Sequence, residues 1–248
     1  MTREDKEAEL TEHLAELRTR IIWSAAGIAV GAIVCWFFYD DLFALLSAPI
    51  TPHLKRLGTK FLFTGIAQPF LIRLQITLLA GLIVASPMVT LQFWLFVAPA
   101  LKAEEKRPLL WMAPLSAVLF ISGVALCYIV MPVGIRWFFS YIPKEAEIRP
   151  DVNQALMFIV KMMLAFGIAF QLPVVMVLLG KLGVVNARML AGYWRHAMLA
   201  IAVVAALATP SADALTMMML AAPLAGLYFL SIVLVRMTQP RDGPEATD

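Results

Sequence analysis

Apolar residues run along this chain in long blocks separated by short polar breaks. Crossing about 30 Å of hydrocarbon takes roughly 20 helical residues. Four blocks are plain at that scale: Ile21–Phe38, Leu74–Val97, Leu109–Val130 and Leu156–Leu179. A weaker fifth, Ala197–Ala208, and a sixth, Ala214–Val235, follow. The pattern predicts an all-α polytopic membrane protein with six transmembrane helices and both termini on one side. The domain plan is an N-terminal amphipathic segment over residues 1–20, one transmembrane domain over 21–236 and a polar tail over 237–248.

The fifth block has a core of roughly 12 residues, about 18 Å at the helical rise. Arg195 and His196 bound it on one side and Thr209-Pro210-Ser211 on the other. The turn to Asp213 is tight, so the last two helices form a short hairpin, which must thin the bilayer or pack against longer helices. The alternative is that Leu190–Trp194 extends this helix. Pro87, Pro114, Pro173 and Pro223 interrupt the blocks. Kinked helices, tolerated in membranes because neighbours re-satisfy the freed carbonyls, pack as a concave wall.

Before the first block, Leu10, Leu14, Leu17 and Ile21 recur at helical spacing, with Glu12, Glu16 and Arg20 opposite and Arg18 near an edge. This predicts an amphipathic helix in the interface that leads into the first span, with Glu16–Arg20 as an i,i+4 pair. The first block is too long for a signal-peptide core and follows an acidic tail, so it reads as a retained helix. The Lys and Arg distribution favours the N-terminus inside. The loops over about residues 39–73 and 131–155 then fall outside.

Composition agrees with a membrane bundle. The chain is 61% hydrophobic and 15% charged, with mean hydropathy +0.82, whereas soluble domains are about half apolar and a quarter charged. A net charge of +3 spread along the chain leaves no footprint for nucleic acid. Cys35 and Cys127 lie inside apolar runs and read as packing residues. His13, His53 and His196 fall in separate polar segments, which argues against a metal site. There is no Walker A, G-x-S-x-G or H-E-x-x-H pattern. No enzyme, nucleotide-driven pump or cofactor is expected.

The most informative polar break is Pro99-Ala100-Leu101-Lys102-Ala103-Glu104-Glu105-Lys106-Arg107. Two adjacent carboxylates at a helix end that normally favours Lys and Arg suit capture of a cationic peptide delivered along the membrane. In the fourth block, Gln171 is an amide just before Pro173, and Lys161 is a charge that can snorkel to an interface. Asp213, before an apolar run, is expected to cap the last helix.

Motifs in order along the chain resemble the TatC family, the core subunit of the twin-arginine protein translocase. His13-Leu14-Ala15-Glu16-Leu17-Arg18-Thr19-Arg20 resembles its opening, and Ser47-Ala48-Pro49 its S-A-P. Leu78 to Pro87, with Trp94-x-Phe96-x-Ala98-Pro99-Ala100-Leu101, resembles its second span and exit. Glu105-Lys106-Arg107 matches E-R-R with one conservative change. Phe166-Gly167-x-x-Phe170-Gln171-x-Pro173 and Thr209-Pro210-Ser211-x-Asp213 resemble the fourth span and the final turn. The resemblance covers roughly residues 10–236.

This resemblance implies recognition of twin-arginine signal peptides at the cytoplasmic face of a prokaryotic inner membrane. Glu105 is the mapped acid, with Phe96 nearby, Glu104 adjacent, and Arg18 and Glu16 on the N-terminal helix assisting. A carboxylate accepts two parallel N–H bonds from a guanidinium, which an ammonium cannot reproduce. An exposed ion pair is worth only about 0–1 kcal/mol, so the apolar part of the signal must pack on the helices too. The family also implies TatA- and TatB-type single-helix partners, homo-oligomers, export of folded cargo and use of the proton-motive force. Gln171 is the expected partner-helix contact, at a position commonly Glu or Gln. Phe229 stands where the family often has an acid. The rival readings are a small-solute secondary transporter, for which the spans offer only Lys161 and Gln171, and a structural scaffold with no peptide site.

Overall fold

The computed structural model describes residues 3–97, 106–143, 147–209 and 213–238. They form eleven helices: α1 (Arg3–Phe37), α2 (Tyr39–Ser47), α3 (Thr51–Leu57), α4 (Gln68–Val84), α5 (Ser86–Val97), α6 (Lys106–Ser140), α7 (Val152–Ala169), α8 (Leu172–Lys181), α9 (Ala187–Gly192), α10 (Trp194–Ala208) and α11 (Ala214–Thr238). Among the described residues the only β contact is an isolated bridge between Leu62 and Asp151. Four helical stretches are long and apolar enough to cross a membrane: His13–Phe37, Met112–Ser140, Val152–Lys181 and Ala214–Thr238. The pair α4 and α5 supplies a fifth candidate bent by 55°, and α10 is a shorter apolar helix.

Proline chemistry explains the breaks. A proline within a helix cannot donate to the carbonyl four residues back, and its ring crowds that carbonyl. Pro173 faces Ala169 in this sense, and α7 ends at Ala169. Pro87 faces Ile83, and α4 ends one residue later, at Val84. The expected second span, Leu74–Val97, therefore starts earlier, at Gln68, and divides into two helices around Ala85. Pro114 and Pro132 stay inside α6, which runs ten residues past the expected end at Val130 and takes up part of the loop expected over 131–155.

The fifth helix starts three residues earlier than expected, at Trp194. Leu190 belongs to the separate α9, which Asn186 caps through its Oδ1 and the Met189 N–H at 2.6 Å. At 15 residues, α10 spans about 22 Å and is still short of a bilayer core. Asp213 caps α11 as expected, accepting from the Thr216 N–H at 2.9 Å.

The loop expected over 39–73 folds into α2 and α3 and the first turns of α4. Asp40 and Asp41 occupy the first turn of α2, where carboxylates complement the helix dipole. Leu46, Ile50 and Leu54 then enter the main core. That core centres on α7, where Leu156, Ile159, Val160 and Phe166 are fully buried. Val30, Ile33, Phe37, Val118, Ile121, Ile129, Val203, Leu207 and Val233 are exposed. A soluble protein rarely shows so much exposed apolar surface, and hydrocarbon is its natural solvent here.

Helices α1 and α4 approach to backbone contact. A Cβ on Gly81 would lie 2.4 Å from the backbone nitrogen of Ala32, and one on Gly31 would lie 2.7 Å from the Gly81 carbonyl oxygen. Small residues at a membrane-helix crossing let backbones touch and gain dispersion energy that lipid cannot supply. This contact fixes where α1 passes α4 and α5.

Candidate functional site

The α1–α4 contact and the 55° bend together bring α5 alongside the N-terminal half of α1. One face of α1 carries His13, Glu16 and Arg20, and the facing side of α5 carries Gln92 and Phe96. The His13 ring stacks on Phe96 with centroids 4.4 Å apart and planes 17° from parallel. Arg20 Nη2 donates to Glu16 Oε1 at 3.1 Å, so the expected i,i+4 pair forms. Arg20 Nη1 donates to Gln92 Oε1 at 3.3 Å. The His13 Nδ1 lies 4.0 Å from Glu16 Oε2. Arg20 Nε is buried and has no hydrogen-bond partner among the described residues.

The same end of α5 is anchored on its other side. Trp94 is buried in a second core cluster with Met112 and Ala113 of α6 and Val174 and Leu178 of α8. Alternate residues of α5 thus point into the bundle and toward α1, which holds Phe96 in place at the start of the polar break. Glu104 and Glu105 lie outside the described residues. The chain leaves them as α6 begins at Lys106.

Of the expected site residues, the structure brings Phe96 and Glu16 together through His13. Arg18 is exposed. It is two residues from both Glu16 and Arg20, which puts it on the opposite side of the helix. The N-terminal segment is not a separate helix: α1 is continuous from Arg3 to Phe37, because no Gly or Pro interrupts it before Gly27. Leu14 and Ile21 on its apolar face are 61% and 58% exposed. Gln92 is a site residue the periodicity did not bring out. Its signal was an amide in an apolar run, four residues before Phe96.

Gln171 sits between α7 and α8. Its Nε2 donates to the Ser116 carbonyl on α6 at 3.0 Å, and the Ser116 hydroxyl donates back to its Oε1. The amide therefore bonds a facing helix, and not the backbone loosened by Pro173. Lys161 is exposed on α7, and Phe229 is exposed on α11 beside the buried Tyr228, whose hydroxyl donates to the Leu190 carbonyl at 2.7 Å. Among the described residues no three His, Cys, Asp or Glu side chains gather as a metal site.

Long apolar helices, breaks set by proline and a polar cluster at one end of the bundle define a multi-pass helical membrane protein. Residues 12–223 match the family model described as Sec-independent protein translocase protein (TatC). The Sec-independent protein translocase protein TatC of Desulforapulum autotrophicum is 37% identical over 94% of this chain and 86% of its own length. That of Xylanimonas cellulosilytica is 38% identical over 90% and 82%. The chloroplastic TATC of Pisum sativum is 34% identical over 91% of this chain and 63% of its own. The crystal structure of a twin arginine translocase receptor TatC superposes with a TM-score of 0.78 at 33% identity, covering 91% of this chain and 99% of that one. The chain belongs to the TatC family. It is a membrane subunit of a Sec-independent protein translocase and not an enzyme.

Proposed function

We propose that this chain receives twin-arginine signal peptides on the face where α1 meets the end of α5, with Glu105 as the principal acceptor. The observation that carries this reading is the His13–Phe96 stack, which pins the N-terminal half of α1 beside the segment that continues into Glu104 and Glu105. Glu16 already holds one guanidinium, that of Arg20. The geometry of an arginine on this face is thus one the protein uses internally. An incoming Arg-Arg pair engages Glu105, whose two oxygens can accept parallel N–H bonds from one guanidinium, with Glu104 and Glu16 adding negative potential and Phe96 offering a flat surface for stacking. Arg18, on the far side of α1, faces the lipid headgroups.

The same reading makes this face cytoplasmic, in a prokaryotic inner membrane, with six crossings and both termini inside. The chain works with TatA- and TatB-type single-helix proteins and with further copies of itself, and cargo crosses folded, driven by the proton-motive force. Each unit charge crossing 100 mV carries about 2.3 kcal/mol. Gln171 keeps one N–H and one lone pair beyond its bonds to Ser116, enough to meet a polar group on a partner helix.

The test is photocrosslinking from Ala103 in membranes supplied with Arg-Arg or Lys-Lys signal peptides. The expected result is a crosslink with Arg-Arg that fades with Lys-Lys and with Glu105→Ala. A folded, inserted protein with no arginine-dependent crosslink would move the peptide site elsewhere or favour a scaffold.

A further inference from the structure

At the opposite end of the bundle, between α4 and α7, lies a cavity of about 770 Å³ that the signal-peptide face does not use. Its polar groups are Gln75, Asn153, Gln154 and Lys161, and its apolar wall includes Leu78, Leu79 and Phe158. Among the described residues no carboxylate pairs with Lys161. Asn153 Oδ1 is buried without a hydrogen-bond partner. An ammonium within a span and an orphaned buried amide oxygen are both costly. Together, in one cavity, they point to a ligand that carries both an anion and a hydrogen-bond donor.

The level of the cavity narrows the class. The two helices start side by side, where Gln68 Nε2 donates to Asp151 Oδ2 at 2.7 Å. Arg73 of α4 lies over the rings of Trp36 and Tyr39, 4.7 and 4.9 Å from their centroids. Gln75 is only two residues further on. Phe158 meets Phe138 at 6.2 Å, next to the Trp137–Tyr141 pair at 4.7 Å. Trp and Tyr belts mark the headgroup level of a bilayer. A lysine side chain projects back toward the start of its helix, which lifts the Lys161 ammonium toward the same level. Leu78 and Leu79 lie about one turn deeper than Gln75, and Leu78 is 52% exposed, so the cavity opens sideways into hydrocarbon.

Polar groups at headgroup depth with an apolar slot on the midplane side reproduce the profile of a lipid. We propose that this cavity holds one anionic glycerophospholipid of the phosphatidylglycerol type. Its phosphate pairs with Lys161, a headgroup hydroxyl donates to Asn153 Oδ1, and an acyl chain runs along Leu78 and Phe158. A partner helix, about 10 Å across with its side chains, would need a groove along the whole of α4 and α7. The lining stops at Leu79 and Lys161.

Native mass spectrometry of the delipidated full chain in detergent, titrated with phosphatidylglycerol or phosphatidylcholine, tests this. Phosphatidylglycerol is expected to bind about tenfold more tightly, the value of one charge-assisted contact near 1.4 kcal/mol. Lys161→Gln should erase that preference and Lys161→Arg should keep it. Leu78→Trp, which fills the slot without changing charge, should weaken both lipids. Three results would overturn the proposal. One is unchanged phosphatidylglycerol binding in Lys161→Gln and Leu78→Trp. Another is equal competition by glycerol 3-phosphate, which marks a site for soluble anions. The third is a photocrosslink from position 161 in cells to a polypeptide instead of to lipid.

Discussion

The imidazole of His13 lies nearly parallel to the ring of Phe96, and this stack joins the N-terminal half of α1 to the end of α5. One helical turn below it on α5, Gln92 accepts from Arg20, which in turn holds Glu16. The two helices are thus closed by an aromatic contact at the tip and a charge-assisted contact behind it. The polar break that carries Glu104 and Glu105 follows directly from this closure.

Phe96→Ala should loosen the tip without unfolding the bundle. A stacked aromatic pair is worth about 0.5–1.5 kcal/mol beyond its area, and Trp94 still anchors α5 in the second core cluster. The expected outcome is a small change in thermal midpoint in detergent together with a clear fall in signal-peptide crosslinking from Ala103. Phe96→Tyr should restore most of the crosslinking. Equal losses of stability and crosslinking in both variants would make Phe96 a packing residue only.

The α1–α4 crossing sets a harder limit. Gly81→Val places a branched side chain where even a Cβ would lie 2.4 Å from the Ala32 nitrogen, against backbone that cannot rotate away. Overpacking of this kind costs about 1–3 kcal/mol or more, and here it also pulls α1 away from α5. Cys35, buried one turn beyond Gly31, reports the separation. Its reaction with a thiol reagent should accelerate in Gly81→Val and stay slow in the parent. A slow rate in the variant would mean that the helices absorb the side chain by sliding.

The apolar blocks disclosed most of the long helices because a membrane span is a local property of composition. The blocks missed α2 and α3, which are too short to span and are held by Leu46 and Leu54 in the core, a tertiary fact with no local signature. The breaks at Ala85 and Phe170 were legible in Pro87 and Pro173, but the 55° angle was not, because packing sets it. Within the site, Glu16–Arg20 followed from helical spacing. Gln92 did not, since its partner is 72 positions away in sequence. The Ser116–Gln171 pair escaped notice for the same reason.

Asp151 gives the fold a pH dependence at the end away from the signal-peptide face. The Gln68 amide hydrogen bond is the main cause that holds its carboxyl below the usual carboxylate range, with the Gln154 N–H and Thr64 adding to it. A lowered folded value means that the carboxylate stabilises the fold above the unfolded value of about pH 4 and that this contribution is lost as pH falls through the folded value. Asp151→Ala should therefore cost about 1 kcal/mol at neutral pH, the worth of an N-cap. The gap between variant and parent in unfolding midpoint should close as pH falls through the lowered folded value. A gap that persists there would assign the effect to the backbone bridge with Leu62.

Gln171 separates internal bonding from partner contact. Its two bonds to Ser116 tie the α7–α8 junction to α6, and interhelical hydrogen bonds in membranes average about 0.6 kcal/mol each. Gln171→Leu and Ser116→Ala should thus both lower stability, by about 1 kcal/mol and somewhat less, respectively. Their effects on assembly should differ. Ser116→Ala leaves the Gln171 amide with more free capacity, so co-purification of single-helix partners should hold or rise. Gln171→Leu removes the amide, and co-purification should fall by more than the stability loss explains. Parallel losses in both variants would show that Gln171 serves assembly only by positioning α8, and the partner's polar group must then be met by another residue.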